Sequence, residues 1–458
     1  MTLASPLPEA FGNRLLRHWS ELIRLAWPVM LSRLGILLMA LVDAVMLGRF
    51  DTVAFAGFAL GLSIFLPIMV TGIGGTVGVV SVVAPHHGAG RTQAAAESFF
   101  HGLWWATLVG IFVAVLSWQT EHVLTLVGQA PELREIGGAV GRTLAFGGFC
   151  QILFAASAFY LEATKRPLPA LIAMIGANVV NAILNLLALN GTLPFIGQEA
   201  VGVAFATSTA RTVLAITLLA YVACLPEVRA AASRMMWGPG GWPASREIRT
   251  IGLAGAAAYF FETFAFSALN QAAGLIGTSA LAAYSIAHNV ESTVFMIAIG
   301  LSVASAVRVG SYAGQGRADE ARFAAWSGLA LTALIIGSIG VLIVLNGERV
   351  ASVYTEDAAL IARITPLLAI LTIALVFDGG QVVMGHCTRA LGDSWGTTLR
   401  FFLAFWGVMI PVGLYLGLAT SLEEMGLFVG TGVGCGVAVL LLGLRFAALV
   451  RRMEDKTP

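Results

Sequence analysis

The chain has 458 residues, of which 58% are hydrophobic and only 11% are charged, and its mean hydropathy is +0.86. A soluble domain of this size does not need so large an apolar fraction to fill its core, so the composition indicates a polytopic membrane protein. The formal net charge of +1 provides no basic face for nucleic acid, and we expect no nucleic-acid partner.

Long apolar runs recur along the chain, separated by short polar breaks. Each run has about 18 residues or more, which is enough to cross about 30 Å of hydrocarbon as a helix. The pattern predicts an all-α protein with twelve spans, at about 22–47, 54–84, 99–119, 136–161, 168–190, 200–224, 250–276, 280–310, 324–345, 359–388, 396–419 and 426–450. The first twenty residues lack an apolar core followed by a small-residue cleavage site, so we predict no signal peptide.

The longest polar break follows the sixth span and reads LPEVRAAASRMMWGPGGWPASREIR. Its glycines and prolines are typical of a flexible connector, and no GK[ST] follows that would indicate a phosphate-binding loop. We therefore predict an amino-terminal six-helix lobe at 1–225, a cytoplasmic connector at 226–247 and a carboxyl-terminal six-helix lobe at 248–458.

The two halves repeat. Gly88 and Gly90-Arg91, after the second span, correspond to Gly314 and Gly316-Arg317, after the eighth, at an offset of 226 residues. FDTVAFAGF, which begins at Phe50, aligns with IGTSALAAY at the same offset. With six spans per half, both halves enter the membrane in the same direction. This parallel repeat is a common plan of transporters, in which the substrate path runs between the halves.

Basic residues are unevenly distributed between the two sets of loops. The amino end, the even-numbered loops and the carboxyl end, including Lys456, hold 19 of the 26 Lys and Arg residues, whereas the other loops are rich in acids. Because Lys and Arg are retained on the cytoplasmic side, we expect both termini to be cytoplasmic in a bacterial inner membrane.

Three acids lie within apolar spans. They are Asp43 in LLMALVDAVMLGR, Glu262 in YFFETFAF and Asp378 in ALVFDGGQVV. A carboxylate in hydrocarbon is costly unless it faces a bundle interior, a cavity or a cation, so each acid is a candidate functional residue. The alternative for Asp43 is a position near the interface, solvated together with Arg49.

Three asparagines lie on one face of the fifth predicted span. Asn178, Asn181 and Asn185 are spaced i, i+3, i+7, which aligns their amides along the helix. They are candidate substrate-binding or proton-binding groups. The alternative is that the amides hold helices together, at about 0.6 kcal/mol each.

Other motifs indicate packing rather than chemistry. The glycines of TGIGGTVG and GVGCG predict close helix contacts. The four cysteines are interpreted as small packing residues, and His386-Cys387, near the end of the tenth span, as a solvated pair rather than a metal site.

Several segments together resemble one family. WPVMLSRLGILLMALVDAVMLGR, the GAGR and GQGR turns, YFFETFAF, SVASAVRVGSYAGQGR and RALGDSWGTTLR are similar to the multidrug and toxic compound extrusion (MATE) family, in its NorM-like bacterial branch. The resemblance covers nearly the whole chain, from about Leu22. It implies two six-helix bundles forming a V, and antiport in which an inward flow of H+ or Na+ drives export of cationic, amphipathic drugs.

The resemblance also implies site residues. Asp43 corresponds to the acid of the first helix, with Asn181 and Asn185 facing it, and Glu262 and Asp378 correspond to the cation site, which would bind Na+ if coupling is to sodium. Pro28, which removes one backbone hydrogen bond, is expected to bend the first helix as a hinge.

The chain departs from the family pattern at two positions. Ala374 stands where Na+-coupled relatives often have an aromatic, and Glu291 is an additional acid.

These departures bear on the coupling ion. A Na+ site needs several oxygen ligands, and the hydroxyls of Thr263 or Ser267 could supplement Glu262 and Asp378, whereas a proton needs one carboxylate. Asp43 with its amides suffices for a proton site. We therefore favour H+, with Na+ open, and expect no cofactor beyond the ion.

Two other functions fit the sequence less well. A lipid-linked sugar flippase of the same superfamily would share the spans but should have a strongly cationic cavity, and only Arg33, Arg142, Arg211 and Arg363 lie within spans away from their cytoplasmic ends. A membrane enzyme would need clustered His, Asp or Glu, which the sequence lacks. The expected partners are organic cations and membrane lipid, and the expected state is a monomer.

Overall fold

The computed structural model describes residues 11–191, 199–235 and 241–455. Gly238 to Gly240 of the predicted connector and Lys456 lie outside the described residues. Within them the chain forms helices and turns, with no strand. The helices are α1 Phe11–Phe50, α2 Thr52–Gly75, α3 Gly78–Gly88, α4 Thr92–Trp118, α5 Thr120–Leu126, α6 Pro131–Ala163, α7 Leu168–Leu189, α8 Glu199–Cys224, α9 Pro226–Met235, α10 Gly241–Ala244, α11 Arg246–Ile276, α12 Thr278–Gly314, α13 Ala318–Leu345, α14 Gly347–Ser352, α15 Ala358–Ala390, α16 Ser394–Ala404, α17 Ile410–Leu418 and α18 Glu424–Glu454, with a π-helical turn at Phe405–Met409 between α16 and α17.

All twelve predicted spans are present. Twelve helical segments of the described chain are long and apolar enough to cross a membrane, counting α2 with α3 and α16 with α17 as one span each. Most extend beyond the apolar run that predicted them. The first helix, for example, already begins at Phe11. The described parts of the predicted connector contain two short helices, α9 and α10.

The helices form two groups, each with its own apolar core. One buried cluster draws on α11 to α18. A second draws on the helices up to α9, and also includes Val303 and Val307 of α12. We call these groups the amino-terminal and carboxyl-terminal lobes. The two valines show that the lobes meet along α12.

The repeat predicted from the two Gly-Arg turns is also visible in the backbone. Gly90 and Gly316 have φ values of +74° and +72°, a left-handed conformation that favours glycine. Each turn is followed by an Arg that precedes a new helix, α4 in one lobe and α13 in the other. The matching turns confirm that the offset of 226 residues reflects structural repetition.

Both ends of the described chain lie on one face of the molecule, which we call the terminal face. Near the start of α1, Arg14 pairs with Glu320 at 3.1 Å, and near the end of α18, Glu454 pairs with Arg322 at 3.0 Å. Because Glu320 and Arg322 belong to the same turn of α13, the two ends are close together.

The lobes pack tightly where α2 meets α11, in the halves of these helices nearer the terminal face. A Cβ on Gly74 would lie 2.9 Å from the carbonyl oxygen of Gly255, and one on Gly252 would overlap the carbonyl of Gly75. The close contacts predicted for TGIGGTVG are therefore present. They hold the lobes together on this side.

The first helix reaches across both lobes. Its amino-terminal half packs Leu22 and Ala26 against α12 and α13, while residues further along belong to the core of the amino-terminal lobe. Pro28 lies inside this continuous 40-residue helix. The predicted hinge therefore does not interrupt the helix, and whether α1 bends there during transport stays a prediction.

A polar network fastens α1 to α12 and α13 near the terminal face. The guanidinium of Arg308 donates to His18 Nδ1 at 2.5 Å and to the carboxylate of Glu21 at 3.1 Å. Since Nδ1 accepts this bond, the proton of the neutral ring is on Nε2, which lies 2.8 Å from Glu320. The network therefore neutralises a buried arginine at a contact between the lobes.

Candidate functional site

The carboxylate of Asp43 is enclosed by side chains from two neighbouring helices. The amides of Asn181 and Asn185 on α7 donate to its Oδ1 at 2.9 and 2.7 Å. The hydroxyl of Thr207 on α8 donates to its Oδ2 at 2.6 Å. Asp43 is only 2% exposed, whereas Arg49 is exposed. The alternative in which Asp43 is solvated beside Arg49 is therefore wrong.

This arrangement suits a carboxylate that exchanges a proton. Three donors stabilise the ionised form, and Thr207 is itself held by a 3.2 Å bond from Asn181. When Asp43 is protonated, an amide or hydroxyl can accept its proton instead, because these groups both donate and accept. The site can thus hold either protonation state without a change of helix packing.

Sequence reasoning missed the contributions of two residues here. Thr207 donates to Asp43, and Arg211 balances its charge. Both lie on α8, spaced i, i+4, so they face the same side of the helix. The guanidinium of Arg211 is buried over the ring of Phe65 at 5.0 Å, and its charge acts on Asp43. The signal that could have indicated them is polar residues at helical spacing in the sixth span.

Asn178 lies apart from the Asp43 cluster. Its amide donates to the backbone carbonyls of Gly35 at 3.1 Å and Met174 at 2.9 Å. The bond to Gly35 joins α7 to α1, which is the packing alternative given above, and the bond to Met174 lies within α7. The spacing i, i+3, i+7 indicated a shared face, but Asn178, the first residue of that face, donates to backbone carbonyls rather than to Asp43.

In the carboxyl-terminal lobe, Glu262 of α11 and Asp378 of α15 meet around one amide. Gln381 donates through Nε2 to Glu262 Oε1 at 3.0 Å and to Asp378 Oδ1 at 3.1 Å. The thiol of Cys435 on α18 lies 3.7 Å from the same Asp378 oxygen. The structure thus brings the two predicted acids together, and Gln381, three residues after Asp378, is the link that sequence reasoning missed.

Glu291 adds a third acid to this lobe. It is buried on α12, its Oε2 lies 2.9 Å from His288 Nδ1, and its charge acts on Asp378. Its Oε1 is buried without a hydrogen-bond partner. The departure noted in the sequence therefore belongs to the same acidic cluster.

Ser267 is exposed, and its hydroxyl donates to the backbone carbonyl of Thr263 at 2.9 Å. This bond uses the hydroxyl proton and leaves the oxygen lone pairs, so the part of Ser267 as an additional oxygen ligand stays a prediction.

The prediction that His386 and Cys387 form a solvated pair is wrong. His386 is only 7% exposed and Cys387 is fully buried. Ser302 donates its hydroxyl proton to the carbonyl of Ile299 at 2.8 Å, so it accepts from His386 Nδ1 at 2.9 Å. The helix end is covered because α15 packs against α12 and faces the other lobe there.

Three of the four cysteines fit the packing interpretation. Cys150 and Cys435 are buried, like Cys387, and fit the packing interpretation, whereas Cys224 is exposed. Among the described residues, no group of three His, Cys, Asp or Glu side chains could hold a metal ion.

Comparison with known proteins gives a consistent result. The MatE family model matches residues 28–187 and 256–416, one segment in each lobe. The probable multidrug resistance protein NorM of Caulobacter vibrioides is 34% identical over 97% of this chain and 94% of its own length. The multidrug resistance protein PmpM of Pseudomonas aeruginosa is 30% identical, with the same coverage of both chains.

Solved structures agree on the fold. An outward-facing multidrug resistance MATE family transporter of the MOP superfamily superposes with a TM-score of 0.85 at 19% identity, over 98% of this chain and all of that one. The eukaryotic MATE transporter AtDTX14 gives 0.84 at 16% identity, over 97% of this chain and 99% of that one. The V of two six-helix bundles is thereby confirmed.

Proposed function

Because this chain belongs to the MatE family of membrane transporters, we propose that it is a cation-coupled antiporter that exports cationic, amphipathic drugs across the inner membrane. The observation that carries this proposal is the pair of buried acidic sites, one in each lobe. Asp43 is enclosed in the first, and Glu262 and Asp378 share Gln381 in the second. Carboxylates within the spans of the two lobes can exchange a coupling cation for an organic one.

We propose H+ as the coupling ion. Asp43 is surrounded by three donors, which suit a carboxylate that gains and loses a proton and leave its oxygens poorly available to a metal ion. In the other lobe, the hydrogen bonds to Asp378 come from an amide N–H and a thiol, while the carboxylates of Glu262 and Glu291 lie in the same cluster. The proposal of H+ therefore rests on the Asp43 site.

The lipid-linked sugar flippase is less well supported. Its pyrophosphate would need free cationic side chains within the spans. Each of the four arginines predicted to lie there has an acidic neighbour: Arg33 bonds Glu162, Arg142 bonds Glu121, Arg363 bonds Glu423 and Glu424, and Arg211 lies near Asp43. Neutralised arginines favour an organic cation as cargo.

The remaining expectations complete the proposal. Both termini would lie in the cytoplasm, which makes the terminal face cytoplasmic, and the transporter would work as a monomer in contact with lipid. It would need no cofactor other than the transported ion. The MatE family consists of transporters, so we propose transport rather than catalysis.

Transport in proteoliposomes tests the ion directly. With ethidium as the probe, a pH gradient should drive accumulation, and an imposed Na+ gradient with the pH gradient collapsed should not. Robust transport under the Na+ gradient alone would overturn proton coupling. If neither the pH gradient nor the Na+ gradient drove ethidium transport, drug antiport itself would be overturned.

A further inference from the structure

His288 lies in the first third of α12, on the side of the molecule away from the terminal face. The helix ends at Gly314, close to the terminal face, so its first turns lie at the opposite face. Three polar residues, Ser285, Asn289 and Thr293, are exposed on one side of α12 at spacing i, i+4, i+8. Polar side chains within a span face the bundle interior or water rather than lipid. Since these three are exposed, this side of α12 is in contact with water.

The ring of His288 connects this hydrated side of α12 to a buried acid. Its side chain is 34% exposed, whereas that of Glu291 is 3% exposed. Nδ1 of the ring lies 2.9 Å from Glu291 Oε2. Phe266 of α11 and Tyr284 of α12 stack against the imidazole, with ring centres at 5.4 and 6.2 Å. The stacking fixes the plane of the ring while one of its nitrogens contacts the acid.

Glu291 lies between His288 and the deeper acids. Its Oε1, the oxygen that His288 does not engage, is buried without a hydrogen-bond partner. The depth of Asp378 follows from its neighbour Gly379, where a Cβ would lie 3.4 Å from the Cβ of Ala298 on α12. Ala298 follows Glu291 by seven residues, which is about 10 Å along the helix. From the opposite face inward, the order is therefore His288, Glu291, Asp378.

The other titratable groups around Glu291 are all buried. Its charge acts on Asp378 of α15, on Tyr284 of its own helix and on Cys435 of α18, and Glu262 of α11 acts on the same aspartate. Among these carboxyl, phenol and thiol groups none bonds to Glu291 in the described chain, whereas the partly exposed imidazole does. The direct connection from water to Glu291 therefore passes through His288.

We propose that His288 is the proton-entry residue of the carboxyl-terminal site and passes protons from water to Glu291 and then to Asp378. This inference rests on the proposed coupling to H+. A proton taken up at Nε2 makes the ring an imidazolium, and its Nδ1 proton then moves to Glu291 Oε2. Ring and acid are then neutral, and Glu291 regains its charge when it gives the proton to Asp378. Exchange with water returns the ring to the Nδ1–H form.

Ethidium uptake by proteoliposomes under a pH gradient tests this with two substitutions at one position. His288→Phe keeps a ring between Phe266 and Tyr284 but has no ring nitrogen, whereas His288→Ala leaves a space there. Each should lower the maximal rate at least tenfold and change the ethidium KM less than twofold. Imidazole in the buffer should restore most of the rate of His288→Ala, relative to wild type in the same buffer. It should not restore His288→Phe, whose site is filled.

His122→Ala is the matched control, because His122 is an exposed histidine of α5 at the same opposite face, and its rate should stay within twofold of wild type. A normal rate in His288→Phe would show that the ring serves packing alone and would overturn the proposal. Failure of imidazole to restore His288→Ala would overturn it too. Both outcomes leave proton coupling intact. A wild type that did not respond to the pH gradient would instead overturn proton coupling, and this proposal with it.

Discussion

At the scale of single residues, function depends on which polar groups face each buried acid. Asp43 is bound by groups from α7 and α8, whereas Asn178, on the same helix face as Asn181 and Asn185, bonds to backbone carbonyls. Amides on one face of α7 therefore differ in function: Asn181 and Asn185 bind the acid, and Asn178 binds backbone carbonyls. This contrast supplies a matched pair for mutagenesis.

Asp43→Asn should abolish drug transport, with a loss of at least tenfold, because an amide cannot carry the exchangeable proton. Asn178→Ala should change the transport rate less than twofold, since its bonds are to Gly35 and Met174 and not to the acid. Dye efflux from cells with equal expression of each variant measures this. Normal efflux by Asp43→Asn would show that the enclosed carboxylate is not part of coupling.

Glu262→Gln and Asp378→Asn should each reduce efflux of a cationic dye at least tenfold without preventing membrane insertion. Both acids bond to Gln381, so loss of either charge changes the shared site. Glu356→Gln is the control, because this acid is exposed in the loop before α15. If both variants of the cluster transported normally, the assignment of the cation site would be wrong.

At the scale of helices, the contact between α2 and α11 depends on glycine. Gly74 and Gly75 approach Gly252 and Gly255 so closely that a side chain on either helix would meet the backbone of the other. Close packing of this kind forms where small residues allow backbones to approach. The lobes can therefore close on the terminal face only while these positions stay small.

Gly255→Leu should hold the lobes apart near the terminal face and slow transport at least tenfold, because its side chain would overlap the backbone of Gly74. Gly176→Leu is the matched control, since a side chain there meets open space. Distances between spin labels on α3 and α11 would report the separation. An unchanged distance and rate in Gly255→Leu would show that this contact is not needed for closure.

At the scale of the whole molecule, the orientation in the membrane follows from the basic loops. The turns after α3 and α12, with Arg91 and Arg317, lie on the terminal face together with both ends of the described chain. Basic residues are retained in the cytoplasm, so this face should be the cytoplasmic one.

A cysteine in the connector tests the orientation. The predicted stretch is Gly238 to Trp242, and we choose Trp242→Cys because its side chain is exposed. In a background with Cys224 replaced by Ser, an impermeant maleimide should label this cysteine only after the cells are permeabilised. Glu356→Cys, in a loop on the opposite face, should be labelled in intact cells. The reverse pattern would invert the topology.

The sequence by itself determined the number of spans, the repeat and the three acids that lie within spans. Hydrocarbon imposes a minimum apolar length on every span, so the spans of this chain are visible as runs of residues. A carboxylate such as Asp43 is conspicuous there because it is costly, and the turn glycines Gly90 and Gly316 recur because each needs a positive φ.

Only the tertiary structure decided which groups meet. Thr207, Gln381 and Glu291 reach the acids from other helices or other turns, and His386 is buried because a neighbouring helix and the other lobe cover it. Helical periodicity defines the faces of one helix but not the neighbour that each face meets. That choice is made by packing between helices distant in sequence, where small differences in fit select the partner.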